Sequence, residues 1–150
     1  MNPIAAVMRL AGPVYRGLDW LSPLGVLALR LWVANVFWKS GLTKIQSWDS
    51  TVLLFTYEYQ VPLLSAELAA MLGTAAELAI PPLLVLGLFG RGAAGILFVF
   101  NIVAVISYPG LNDAGMRDHQ VWGLMLLIPL LQGPGKLSLD ALIAPWLTRR

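Results

Sequence analysis

The sequence predicts an all-α protein, a four-helix transmembrane bundle with amphipathic surface helices at the N- and C-termini. Three observations lead there. The 150 residues are 58% hydrophobic and 12% charged, where soluble domains run near ~45–50% and ~25%, so a water-soluble fold of this size cannot hide its apolar surface. The apolar residues gather in runs of roughly 20, the length that crosses a bilayer core as a helix. The basic residues stand beside those runs, as they do at membrane edges.

The same composition narrows the chemistry. A chain of 150 residues reads as a single domain. A net charge of +2 is too small to suggest nucleic acid as a partner. With no cysteine, the chain has no disulfide, thiol nucleophile, Fe–S cluster or dithiol relay of its own. With His119 as its one histidine, it cannot build a bis-histidine haem within a single copy. No Walker loop, dinucleotide fingerprint or Ser/His/Asp arrangement is present. Arg30 interrupts the first long apolar run and no small-residue cleavage site follows a clean core, so the first span is expected to be retained.

Residues 3–19 are expected to lie on the membrane surface. Ile4, Val7, Met8, Ala11, Val14, Tyr15 and Leu18 recur at helical spacing, and Arg9 and Arg16 share another face that suits anionic headgroups. Pro13 is expected to interrupt this helix. The first span then runs about 22–41. Ser22 offers a cap, Pro23 suits the first turn, and Trp20 and Trp38 stand near the ends as interfacial aromatics. The connection over 42–65 is aromatic, and Ser47-Trp48-Asp49-Ser50 offers capping side chains for a short helix over 51–57 that packs on the bundle rim.

The second span runs about 65–89, with Pro81 and Pro82 expected to kink it just beyond Glu77. Phe89-Gly90-Arg91-Gly92 forms a tight turn into the third span, about 92–108, which carries Asn101 in its middle. The turn over 109–115 leads to the fourth span, about 116–132, stopped by Gly133-Pro134-Gly135. Ser138 caps a second surface helix over 138–147, whose Leu139, Leu142, Ile143 and Trp146 share one face. Arg9, Arg16, Arg91, Lys136, Arg149 and Arg150 fall on one side of this arrangement and Lys39, Lys44 and Arg117 on the other, so both termini are expected to be cytoplasmic.

The candidate site follows from depth. Counted from the span ends, Arg30, Glu77 and Asn101 all come out near the midplane, where an ionised group costs roughly 2.5–3.5 kcal/mol on insertion scales unless paired. An Arg30–Glu77 pair facing the bundle interior is therefore expected, with Asn101 beside it. Two readings are open. The group is either structural glue fixing helix register, or a ligand-binding pocket for a quinone head group, a proton or a small anion. Lys39, Lys44, Glu67, Asp113, Arg117, Asp118 and His119 are expected to gather as a second polar cluster at the outer rim. One histidine among scattered carboxylates defines no metal site, and no catalytic set is assigned.

Several stretches, taken in order, resemble the DoxX family of small bacterial membrane proteins. Leu29-Arg30-Leu31 with Phe37-Trp38-Lys39-Ser40-Gly41-Leu42-Thr43-Lys44 is similar to its first helix. Glu67-Leu68-Ala69, Gly73-Thr74-Ala75-Ala76-Glu77-Leu78 and Leu86-Gly87-Leu88-Phe89-Gly90-Arg91 are similar to its second. Asp118-His119, Trp122-Gly123 and Gly133-Pro134-Gly135-Lys136-Leu137-Ser138-Leu139-Asp140 are similar to its fourth helix and tail. The resemblance implies a multi-pass protein of the bacterial inner membrane. It also implies association with thiosulfate:quinone oxidoreduction or with redox-stress and metal-stress functions. Having no thiol, haem or nucleotide motif, the chain would need quinone, a partner subunit or both for any redox activity. The leading expectation is a redox-associated membrane subunit, such as a subunit of a quinone-linked oxidoreductase, surrounded by lipid and working with a protein partner or as a homo-oligomer. The alternatives are a non-enzymatic scaffold and, third, a proton or small-ion pathway.

Overall fold

The computed structural model describes residues 3–147, with side chains described over 11–146. Six helices follow one another: α1 (Pro3–Gln46), α2 (Trp48–Tyr57), α3 (Ala66–Leu86), α4 (Gly90–Ser107), α5 (Asp113–Gln132) and α6 (Leu139–Leu147). Among the described residues there is no strand. Three helices are long and apolar enough to cross a membrane, over Ala11–Gln46, Ala66–Leu86 and Gly90–Ser107. In α5 the polar residues Asp113, Arg117, Asp118, His119 and Gln120 crowd the first half.

The N-terminal surface helix and the first span are one element, contrary to the expected break. α1 runs 44 residues with Pro13 and Pro23 inside it, and Ser22 caps nothing. A proline removes one donor and costs roughly 3 kcal/mol in a helix interior. Breaking the helix in apolar surroundings would instead orphan up to four N–H and four C=O groups, at several kcal/mol each. Continuity is the smaller cost. Arg149 and Arg150, and the side chains of Ile4, Val7, Met8 and Arg9, lie outside the described residues.

The other boundaries follow local chemistry. Ser47 stands at the N-cap position of α2 but leaves the helix N–H groups alone, its hydroxyl meeting that of Ser50 at 2.7 Å. Ser65 accepts the Leu68 N–H at the start of α3, and Asn112 accepts the Gly115 N–H at the start of α5. That second cap is why α5 begins at Asp113, earlier than the expected 116. α3 continues through Pro81 and Pro82 to a left-handed Gly87. There the Leu88 N–H bonds the Leu83 carbonyl and the Gly87 N–H the Leu84 carbonyl, a Schellman closure.

α3 packs on α1 and α4, α4 on α5, and α2 lies across α3. The core holds Val33, Ala34 and Phe37 of α1, Leu84 of α3, Ala93, Ala94 and Leu97 of α4, and Leu126 of α5. Small residues set the close approaches, as expected where helices pack without a hydrophobic drive from the solvent. A Cβ on Gly41 would come within 2.8 Å of Leu78 and 3.0 Å of the Glu77 Cβ. Gly41 thus fixes the register of α1 on α3, placing Glu77 beside the last turn of α1. Outward-facing Trp20, Leu31, Trp32 and Leu131 are exposed, an apolar exterior of the kind lipid covers.

Candidate functional site

The expected Arg30–Glu77 pair does not form. Arg30 is fully buried, and its guanidinium donates to two backbone carbonyls, those of Leu84 (3.3 Å) and Leu137. Among the described residues its Nε has no hydrogen-bond partner. Depth along the apolar run misplaces Arg30 because α1 continues past that run to Gln46. With Gly41 set against Glu77 and Leu78, eleven residues separate Arg30 from that level, or roughly 16 Å of helix rise. Arg30 therefore lies at the α3–α4 turn. There the segment 133–140 folds over as a strap. Asp140 accepts the N–H groups of Phe89 (2.9 Å) and Gly90 (2.8 Å), and its own N–H donates to the Gly87 carbonyl at 3.0 Å. The carboxylate so caps α4, which has no cap from the left-handed Phe89 side chain before it. Ser138 accepts the Ala141 N–H as expected of a cap, and donates to the Gly135 carbonyl.

Glu77 pairs with Lys44 instead. The Lys44 ammonium donates to both carboxylate oxygens, at 2.9 and 2.7 Å, and to the Ser40 hydroxyl at 2.8 Å. All three of its donors are thereby engaged, whereas the carboxylate retains acceptor capacity. Glu77 is 4% exposed and the Lys44 side chain 13%. The Lys44 carbonyl accepts from Thr51, tying the end of α1 to α2.

This pair lines one end of an apolar cleft of about 320 Å³ between α2, α3 and α4. Phe55, Leu72, Gly73, Val99, Phe100 and Val103 line its walls, and Ser107 lies at the far end with a buried hydroxyl that has no partner among the described residues. Tyr59 also lines it, stacked between Phe55 (4.8 Å) and Tyr108 (4.9 Å). Burial, aided by the Glu77 charge, pushes the Tyr59 phenol above its ordinary value, so it stands there as a neutral donor. The arrangement suits an amphiphile with a polar head against Glu77 and a tail along α3 and α4, in a volume within the range of small-molecule sites.

Asn101 joins neither charge. Its amide nitrogen donates to the His119 carbonyl at 2.9 Å, and its oxygen meets His119 Nδ1 at 2.8 Å. Among the described residues no ion pair joins the expected outer-rim cluster. Lys44 has gone to Glu77 and His119 to Asn101, while Lys39, Glu67, Asp113, Arg117 and Asp118 are exposed. Among the described residues no group of three His, Asp or Glu side chains could hold a metal ion.

A first span ending at Gly41 leaves Lys44 outside it, whereas α1 runs on to Gln46. The signal was present: Ser40 and Lys44 are four apart, hence on one face, if the helix continues. Asp140 carried no signal of its own, since a carboxylate 50 residues from the N–H groups it caps is invisible to local reading.

The DoxX family model matches residues 25–109, from α1 to just past α4. An uncharacterized protein of Haemophilus influenzae is 33% identical over 129 residues, which cover 81% of this chain and 85% of that protein. No solved structure matches. More than half of the chain falls within the family model, and the bacterial relative spans most of both proteins: the chain belongs to the DoxX family.

Proposed function

We propose that this protein is a redox-associated subunit of the bacterial inner membrane that binds a quinone, or a similar apolar ligand with a polar head, in the α2–α3–α4 cleft. It works with a protein partner, in sulfur, redox-stress or metal-stress metabolism. The observation that carries the reading is the buried Lys44–Glu77 pair lining an apolar cleft. A carboxylate there with spare acceptor capacity receives the hydroxyl of a reduced ring, and exchange of one Lys44 bond offers a donor to the carbonyl of the oxidised form. The neutral Tyr59 phenol is a further donor along the same wall. In this reading α5 is the fourth span, its His119 held to α4 by Asn101, and both termini face the cytoplasm.

The test is to purify the protein from native membranes in mild detergent, extract it, and measure co-purified quinone by mass spectrometry beside Glu77→Gln. Stoichiometric quinone that falls in the variant is the expected result. No quinone with an equally well-folded variant would favour the second reading, a membrane scaffold whose buried charges are structural. The hydrogen bonds of Arg30 to the chain's own backbone favour that role for Arg30 itself.

A further inference from the structure

A second groove, of about 490 Å³, runs between α4 and α5 on a different face of α4 from the cleft. Its walls are apolar, with Phe98, Ile102 and Val105 from α4 and Met116, Leu124 and Leu127 from α5. Asn101 and His119 lie in it together, with Gln120 as the remaining polar side chain of the lining.

The bonds at this point fix where the histidine proton sits. The His119 carbonyl can only accept, so the Asn101 atom 2.9 Å from it is the amide nitrogen. The other Asn101 atom is then the oxygen, itself an acceptor, and the His119 Nδ1 facing it at 2.8 Å must carry hydrogen. Neutral His119 is therefore the Nδ1–H tautomer, and Nε2 bears a lone pair. The ring is held edge-on to Trp122, with centroids 4.8 Å apart at 66°. No hydrogen bond to Nε2 is made within the described residues. A ring acceptor oriented by a neighbouring amide, with apolar walls around it, is matched by one O–H donor on an apolar body.

We infer that the α4–α5 groove is a second ligand site, which takes a hydroxyl-bearing amphiphile and receives its O–H on His119 Nε2. Asn101 is a positioning residue there, holding the tautomer and the ring. A quinol and a hydroxylated lipid share this chemistry. The site does not depend on the cleft, since it uses neither Lys44 nor Glu77.

The experiment is ¹⁵N NMR of imidazole-labelled protein in lipid nanodiscs, titrated with a decyl-substituted benzoquinol or with 1-decanol, each beside its methyl ether. The free protein should show an unprotonated Nε2. The hydroxyl compounds should move that resonance, and the ethers should bind about tenfold or more weakly, the size of one buried hydrogen bond. A shift with the quinol alone identifies a ring-bearing ligand, and equal shifts with decanol a lipid hydroxyl. Asn101→Leu should lose the single tautomer along with the response. Ile102→Trp, which fills the groove from its exposed side, should lose the response but keep the tautomer. Glu77→Gln should leave both unchanged, so failure of the cleft reading would not be confused with failure here. An Nε2–H tautomer in the free protein, or equal shifts with hydroxyl and ether, or no shift with either hydroxyl, would overturn the assignment.

Discussion

The turn end of the bundle, where Arg30 lies under the 133–140 strap, and the cleft, where Glu77 meets Lys44, both bury charge in an apolar setting, but with different partners. Arg30 bonds backbone carbonyls from α3 and from the strap, and packing closes over it. Its cation joins segments 54 and 107 residues distant in sequence. Lys44 and Glu77 bond side chain to side chain across one helix contact, with open apolar volume beside them. The first arrangement has no room for another molecule. The second can exchange a bond for one to a ligand. Burial of a charge is thus a poor guide to function until its partners are known. Backbone partners point to architecture, and a side-chain pair at the end of a cleft points to binding.

The contrast can be broken at several points. Arg30→Leu should have the largest effect on stability. It leaves the Leu84 and Leu137 carbonyls without the guanidinium and releases the strap, for a loss of about 2–5 kcal/mol. Unfolding by SDS titration in mixed micelles would read it, and quinone bound per folded protein should not change. Gly87→Ala should follow, at about 2–4 kcal/mol. Its left-handed backbone (φ 64°) resists a Cβ, which would also collide with Arg30 and Ser138. The same titration reads this loss; near-wild-type stability would mean that the strap is not tightly packed.

At the cleft, Glu77→Leu alone should cost about 1–3 kcal/mol, because it strands Lys44. Pairing it with Lys44→Leu should bring stability back to within about 1 kcal/mol of the parent. A double-mutant cycle measures this coupling. Quinone should be lost from all three variants, whereas a merely structural pair would leave it in the double one. The smallest effect belongs to Asp140→Asn, about 0.5–1 kcal/mol. It keeps an oxygen for a backbone N–H but removes the charge that caps α4. Hydrogen exchange at Phe89 and Gly90 should rise first.

Much of this was legible along the chain. The apolar runs mark the three long helices, Ser138 is legible as a cap from residue type, and Gly133-Pro134-Gly135 marks the end of α5. Arg30, Glu77 and Asn101 were singled out because polar groups in apolar runs need partners. The partners themselves are not legible there. Gly41 looked like a helix end and is a helix contact, which took Lys44 out of α1 and away from Glu77.

The sequence by itself determined the class of the protein and the positions that demand explanation. Hydropathy and capping act within a few residues, so a local reading captures them. Only the tertiary structure decided which group meets which. Partnership depends on helix register and on rotation, about 100° for each residue. One misjudged helix end shifts both. In this chain the close approach at Gly41 sets that register, bringing Lys44 to Glu77 and leaving Arg30 for the turn.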